Sequence, residues 1–201
     1  MKRNFSISNF KKHVIIIACF LYTVCIGFVF AQEEEENIYK WEDQKAVDSI
    51  KTLYNNKFSF GEDTRILLIK IVQNETNPEE KFYYSELLIE EALKDDLNEY
   101  AAVGYLQKGN ALQVKGEFHE AIEAYYKSME LAEKNNDEEM SASLLVSIAD
   151  TYSMLENSES AEKYYDEAII LLRKLNDPTS LASALLNAGD EYYKTGQYNK
   201  A

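Results

Sequence analysis

The sequence contains few of the residues on which turns, disulfides and metal sites depend. Its 201 residues include only 2 prolines, 7 glycines, 2 histidines and 2 cysteines. A sandwich of short strands needs a turn roughly every ten residues, so this composition disfavours an all-β fold and favours helices. Cys19 and Cys25 both lie before position 32. The rest of the chain therefore has no disulfide or zinc–thiolate chemistry.

The remaining residues provide no catalytic, metal-binding or cofactor-binding group. His119 is the only histidine after position 31, and beside Glu120 it is expected in a structural or solvated role. The sequence has no glycine-rich phosphate loop. We therefore expect no reaction, metal or cofactor within residues 1–201.

Basic residues are also scarce. The chain has 21 lysines and arginines against 35 aspartates and glutamates, which gives a formal net charge of -14. Because an acidic surface repels phosphate, this balance excludes nucleic acid as a partner.

The N-terminal segment has the pattern of an export signal. Basic residues such as Lys11 and Lys12 precede an apolar run over residues 14–30, and Ala31 follows at a plausible cleavage site before an acidic stretch. We expect residues 1–31 to be a signal peptide, with an uncleaved membrane anchor as the alternative. Either form places the rest of the chain on the periplasmic or extracellular face.

The second half of the chain repeats itself with a period of 40. A small residue lies three positions before a larger one, a turn follows, and a second helix then carries an alanine four positions before a tyrosine. The small residues are Gly109, Ala149 and Gly189; the larger ones are Leu112, Tyr152 and Tyr192; the alanines are Ala121, Ala161 and Ala201; and the tyrosines are Tyr125 and Tyr165. The pattern predicts pairs of helices that pack closely through small residues.

These positions resemble the tetratricopeptide repeat (TPR) family. Six residues match its small, large, turn, aromatic, small and aromatic positions in that order: Gly109, Leu112, Gly116, Phe118, Ala121 and Tyr125. The resemblance implies an all-α, right-handed superhelical solenoid of antiparallel helix pairs. The period of 40 exceeds the family's usual 34 and predicts longer helices or linkers.

The domain organisation follows from these patterns. After the signal peptide we expect an acidic leader over 32–61, a degenerate helix-pair repeat over 62–97, and a TPR array over 98–201 that is truncated in its third unit. The leader should contain an amphipathic helix with one apolar face made of Ile38, Trp41, Val47, Ile50 and Tyr54.

Four short motifs predict helix starts. Asn77-Pro78 and Asp177-Pro178 combine a capping side chain with a proline in the first turn. The acid pairs Glu138-Glu139 and Asp95-Asp96 are also expected at helix starts, where they would oppose the positive end of the helix dipole.

The resemblance also predicts where a partner would bind. In the family, the first helix of each pair lines a concave groove. The matching positions here are Leu106, Asn110, Gln113, Val146, Asp150, Ser153, Leu186, Asp190 and Tyr193. The family's basic clamp for a terminal carboxylate is missing, so the expected partner is a neutral or basic protein or peptide with apolar anchors. The alternative is that these are ordinary solvated helix residues.

The order of segments resembles the N-terminal regions of bacterial repeat-containing receptors. In those proteins the array precedes a transmembrane helix and an adenylate/guanylate cyclase or histidine kinase domain, so we expect a sensing or docking module at the front of a longer signalling protein. A stand-alone periplasmic or secreted scaffold and an exported enzyme with docking repeats are the alternatives. A second copy of the chain also remains open as a partner, and the sequence after residue 201 would separate these possibilities.

Overall fold

The computed structural model describes residues 44–55 and 64–200, and every regular element in these ranges is an α-helix. Helix α1 covers the described residues 44–55. It is followed by α2 (Thr64–Asn74), α3 (Pro78–Lys94), α4 (Asn98–Lys115), α5 (Phe118–Asn135), α6 (Glu138–Met154), α7 (Ser158–Leu175) and α8 (Pro178–Lys194). The predictions for the signal peptide, the first part of the leader and Ala201 lie outside the described residues. The all-α prediction is confirmed.

The extra length of the repeat lies in its helices. Helices α4 to α8 contain 17 or 18 residues each, and only two or three residues separate one helix from the next. Each helix plus its turn therefore takes twenty residues, and two such halves make the period of 40.

A left-handed residue occurs in every turn of this series. Its φ lies between 55° and 79°, and it recurs at Asp96, Gly116, Asn136, Glu156, Asn176 and Gly196. Around Gly116, for example, Gly116 N donates to Gln113 O at 3.0 Å and Glu117 N donates to Leu112 O at 2.9 Å. These two bonds satisfy carbonyls that a helix end would otherwise leave unpaired. Glu156 adopts the conformation without the freedom of a glycine, because the turn geometry around it is the same.

Side chains cap several of the helix starts. Asn77 Oδ1 accepts hydrogen bonds from Glu79 N at 2.9 Å and Glu80 N at 3.2 Å. Asp177 caps α8 in the same way, and Glu138 begins α6 as predicted. The prediction for Asp95-Asp96 is wrong, because Asp95 is the C-cap of α3 and Asp96 is the left-handed residue of the following turn.

The small residues of the repeat allow neighbouring helices to approach closely. Ala121, Ala149 and Ala161 are fully buried, and so is the ring of Tyr125. At Gly109 an added Cβ would lie within 2.9 Å of three atoms of the Tyr125 ring. The absence of a side chain at Gly109 is therefore what allows the Tyr125 ring of α5 to pack directly against α4.

The helices form two layers that differ in spacing. The even-numbered helices touch one another, since α2 contacts α4, α4 contacts α6, and α6 contacts α8. Within the described residues, no Cα of α3 comes within 8 Å of one in α5, and the same holds for α5 and α7. The closely spaced even layer is the inner side of the stack, and the wider odd layer is its outer side.

Helix α1 packs on the first helix pair. Val47 is buried together with Leu68, Ile71 and Leu88, while Ile50 and Tyr54 pack at the edge of the same cluster. Val47, Ile50 and Tyr54 of the predicted apolar face of the leader therefore lie in or beside this cluster, and Ile38 and Trp41 lie outside the described residues.

An ion pair anchors α1 to the turn between α2 and α3. Lys51 pairs with the buried carboxylate of Glu75 and with Glu80. Burial lowers the pKa of Lys51, but the two carboxylates outweigh this effect and raise the pKa above 10.5. The lysine therefore stays charged, as a buried carboxylate requires.

None of the helices in the described ranges has the length and apolar character needed to cross a membrane.

Two glycines at equivalent repeat positions should respond differently to alanine. Gly109→Ala should destabilise the fold by about 1–3 kcal/mol, because the new methyl group overlaps the buried Tyr125 ring. Gly189→Ala should be neutral or stabilise by up to about 1 kcal/mol, since nothing lies within 4 Å of its added Cβ and alanine favours a helix. Urea unfolding followed by circular dichroism would measure both changes, and equal effects would contradict this packing.

Candidate functional site

The predicted groove residues lie on three of the inner helices, α4, α6 and α8. Their apolar members differ in exposure. Leu106 and Val146 are half-buried and pack against the two main core clusters, whereas Leu186 is 68% exposed. Of these three apolar side chains, only Leu186 on α8 is therefore open to a partner.

Two of the polar groove residues, Asn110 and Asp150, accept hydrogen bonds from tyrosine hydroxyls on the next helix. Asn110 Oδ1 accepts from the hydroxyl of Tyr125 at 2.9 Å. Asp150 Oδ1 accepts from the hydroxyl of Tyr165 and from Asn187 Nδ2, the latter at 3.0 Å. Burial and the bond to Asp150 raise the pKa of Tyr165 above its ordinary value of 10.0, so the hydroxyl remains a donor at neutral pH. Asp150 thus joins α6, α7 and α8.

A hydrogen bond between neighbouring inner helices recurs one repeat period further along the chain. Gln113 Nε2 donates to Thr151 Oγ1 at 2.8 Å, which joins α4 to α6. Ser153 Oγ donates to Glu191 Oε2 at 2.6 Å, which joins α6 to α8. The second pair is the first one shifted by one repeat period along both partners, so the inner helices are linked in a constant register.

Glu191 is a buried carboxylate at this link. Its residue is 2% exposed, and Lys194 Nζ lies 3.1 Å from Oε2. Burial raises the pKa of Glu191, but hydrogen bonds from Ser153, Ser158 and Lys194 outweigh this effect and hold the pKa below its ordinary value.

The last two groove residues are open to solvent. Asp190 is exposed, and Tyr193 is 67% exposed with its ring centroid 5.4 Å from that of Tyr198.

A cavity of about 580 Å³ opens between α6 and α8, and we call it the inner groove. It is lined by Glu139, Ala142, Ser143, Val146, Ser147, Leu172, Leu175, Asn176, Asp177, Pro178, Thr179, Ser180 and Ser183. Of the predicted residues only Val146 lines it. The sequence pattern had a signal for two of the others, because Ser143 and Ser183 are one period apart and follow the repeat.

The inner groove has hydroxyl groups and apolar side chains but few charges. Glu139 and Asp177 are the charged residues among its lining, and Asp177 also accepts from Thr179 N and Ser180 N at 3.1 Å each. In the described part of the chain, no group of three or more His, Cys, Asp or Glu side chains is arranged to hold a metal. The arrangement is suited to hydrogen bonding and apolar contact with a bound segment.

Comparison with models of protein families identifies the family of this chain. The family model described as Tetratricopeptide repeat matches residues 100–174 and 140–201. This chain belongs to the tetratricopeptide repeat family. The matches together span about half of the sequence and include α6, α8 and all but the first two residues of α4.

Solved structures share the fold at low sequence identity. BtubC (BKLC) from P. vanneervenii matches with a TM-score of 0.67 and 16% identity over 80% of this chain and 70% of its own. A Rap protein complexed with Competence and Sporulation Factor matches with a TM-score of 0.68 and 18% identity over 82% of this chain. The apo form of RapI matches with a TM-score of 0.68 and 18% identity over 81% of this chain.

This chain spans 48% of the Rap chain in the complex and 62% of RapI. Among curated protein sequences, no relative matches it. The helical-repeat solenoid predicted from the sequence is confirmed by these structures.

Two aspartates at equivalent positions should differ in their effect on stability. Asp150→Ala should lower the free energy of unfolding by about 2 kcal/mol, because it leaves the buried Tyr165 hydroxyl and Asn187 without their acceptor. Asp190→Ala, at an exposed position, should change it by no more than about 0.5 kcal/mol. Urea unfolding of both variants tests this, and a neutral Asp150→Ala would show that the hydrogen bonds do not hold the helices together.

Proposed function

We propose that this module binds an extended protein or peptide segment, neutral or basic and with an apolar anchor, in the inner groove. The observation that carries the proposal is the cavity itself, which is about 580 Å³ and lies between two inner helices of a tetratricopeptide repeat stack. A cavity of this size accommodates a few side chains of a peptide.

The lining of the groove supports the stated chemistry of the partner. Ser143, Ser147 and Ser183 provide hydroxyls that both donate to and accept from a peptide backbone. Val146 and Leu175 provide apolar contact for an anchoring side chain. The carboxylates of Glu139 and Asp177 disfavour an acidic partner and favour a basic one.

A neighbour with this fold adds support. The Rap structure was solved in complex with Competence and Sporulation Factor, so a stack of this architecture is able to hold a partner molecule.

An array of random heptapeptides would test the inner groove. We expect the bound peptides to be enriched in apolar and basic residues and depleted in Asp and Glu. Ser183→Arg should remove the peptides that bind in the inner groove, because the new side chain fills this groove and adds a repelling positive charge. Glu123→Arg, on an exposed position of α5, serves as the control and should leave binding unchanged. Equal peptide profiles for all three proteins would contradict the proposal.

We also propose that the module is exported and forms the sensing or docking part of a larger signal-transduction protein. The basic and apolar pattern of residues 1–31 supports export. The resemblance to receptor N-terminal regions favours an output domain such as a cyclase or histidine kinase over the stand-alone scaffold.

An immunoblot of fractionated source cells would test this second proposal. An antibody against the array should detect a membrane-bound species much larger than the 23.2 kDa of this sequence. N-terminal sequencing of that species should begin at Gln32. A free species no larger than this sequence would favour the scaffold instead, and a cytoplasmic species that begins at Met1 would contradict export.

A further inference from the structure

The wide spacing of the outer helices opens two grooves over the inner layer. The first outer groove lies between α3 and α5, has a volume of about 230 Å³, and is lined by Phe82, Tyr105, Lys108, Leu112, Glu117, Glu120, Glu123, Ala124 and Lys127. The second outer groove lies between α5 and α7, has a volume of about 460 Å³, and is lined by Tyr126, Met129, Glu130, Glu133, Ser141, Leu145, Ile148, Tyr164, Glu167 and Leu171.

The first outer groove contains cations of its own. Lys108 Nζ lies 5.0 Å from the centroid of the Phe82 ring, and Lys127 Nζ lies 5.6 Å from that of Tyr105. Lys108 also pairs with Glu86 at 2.7 Å. These contacts show how a groove of this kind binds an ammonium group, with its charge over a ring and beside a carboxylate.

The second outer groove has lost those cations at the equivalent positions. A shift of one repeat period replaces Lys108 by Ile148 and Lys127 by Glu167. Of the described residues that line this groove, none is a lysine or an arginine. The second outer groove is therefore larger than the first, and it has the carboxylate of Glu167 where the first has the ammonium group of Lys127.

Tyrosines form one wall of the second outer groove. The hydroxyls of Tyr126 and Tyr164 lie 2.5 Å apart and bridge α5 and α7. Tyr152 stacks on Tyr164 with centroids 5.6 Å apart and an interplanar angle of 2°. Tyr126 remains 41% exposed, so its ring is available to a bound group.

Three glutamates are present along the same groove. Lys134 pairs with Glu130 at 2.7 Å, and Lys163 lies 3.9 Å from Glu167 and 5.1 Å from the Tyr164 ring. Both lysine side chains are more than half exposed. Surface pairs of this kind are weak and exchange readily with an incoming cation.

We propose that the second outer groove binds an arginine or lysine side chain of a partner protein, together with an adjoining apolar residue. The charged group would lie against Glu133, Glu167 and the Tyr126 ring. The aliphatic stem and the apolar neighbour would contact Met129, Leu145 and Leu171. This site is separate from the inner groove. The partner's cation would take the place of the lysines that the first outer groove contains.

Fluorescence anisotropy with a defined probe would test the site. The probe is the tripeptide amide Leu-Arg-Leu labelled with fluorescein, and its match has neutral citrulline in place of arginine. We expect saturable binding of the arginine probe to the full chain and about ten-fold weaker binding of the citrulline probe. Raising the salt concentration should weaken only the arginine probe.

Matched charge changes in the two outer grooves locate the binding. Glu167→Lys restores the cation of the first outer groove and should weaken the arginine probe about ten-fold or more, whereas Glu123→Lys in the first outer groove should change binding by less than about two-fold. Circular dichroism checks the fold of each variant, and Glu167→Gln replaces Glu167→Lys if the lysine variant is unfolded.

Three outcomes would overturn the proposal. These are equal binding of the two probes, equal effects of the two charge changes, and no saturable binding of the arginine probe at millimolar concentration. Loss of the arginine probe from Ser183→Arg alone would assign the binding to the inner groove instead.

Discussion

The constant length of the half-repeat is the constraint on which the rest of the structure depends. A left-handed residue terminates a helix every twenty residues from Asp96 to Gly196. Because every turn places its left-handed residue at the same position, each helix starts with the same rotation and the same displacement relative to the helix before it. The small residue at Gly109 therefore meets Tyr125, and Ala149 lies in the same cluster as Tyr165. If one turn were displaced by a residue, the apolar stripe of every later helix would face a different direction.

The two layers use this regularity differently. On the inner side the helices are close enough for side chains to link them directly, as Gln113 with Thr151 and Ser153 with Glu191 do. On the outer side the backbones lie too far apart for close packing, and the gaps remain as grooves. A stack that curves must compress one layer and open the other, so the same geometry produces a bonded inner surface and open outer clefts.

Divergence between the repeats determines the chemistry of those clefts. The backbone repeats with a period of 40, but equivalent positions carry Lys108 and Ile148, or Lys127 and Glu167. Turn positions tolerate glycine, asparagine, aspartate or glutamate because the surrounding hydrogen bonds fix their conformation. Of these groove positions, Lys127 and Glu167 are exposed, whereas Ile148 is buried in a core cluster and also lines the second outer groove. A repeat protein of this kind keeps one scaffold and varies its surfaces unit by unit.

The sequence by itself determined the helical class, the period, the capped starts of α3 and α8, and the small and aromatic residues between helices. These features depend on neighbours within one or two turns of the chain, and periodicity records such neighbours directly. It did not predict that Asp95-Asp96 follows a helix, since an acid pair has the same appearance beside either helix end. The tertiary structure alone decided that Asn110 and Asp150 accept hydrogen bonds from tyrosines on the next helix, and that the larger outer cleft lies between α5 and α7. Those outcomes depend on the distance and rotation between separate helices, which no local pattern of residues specifies.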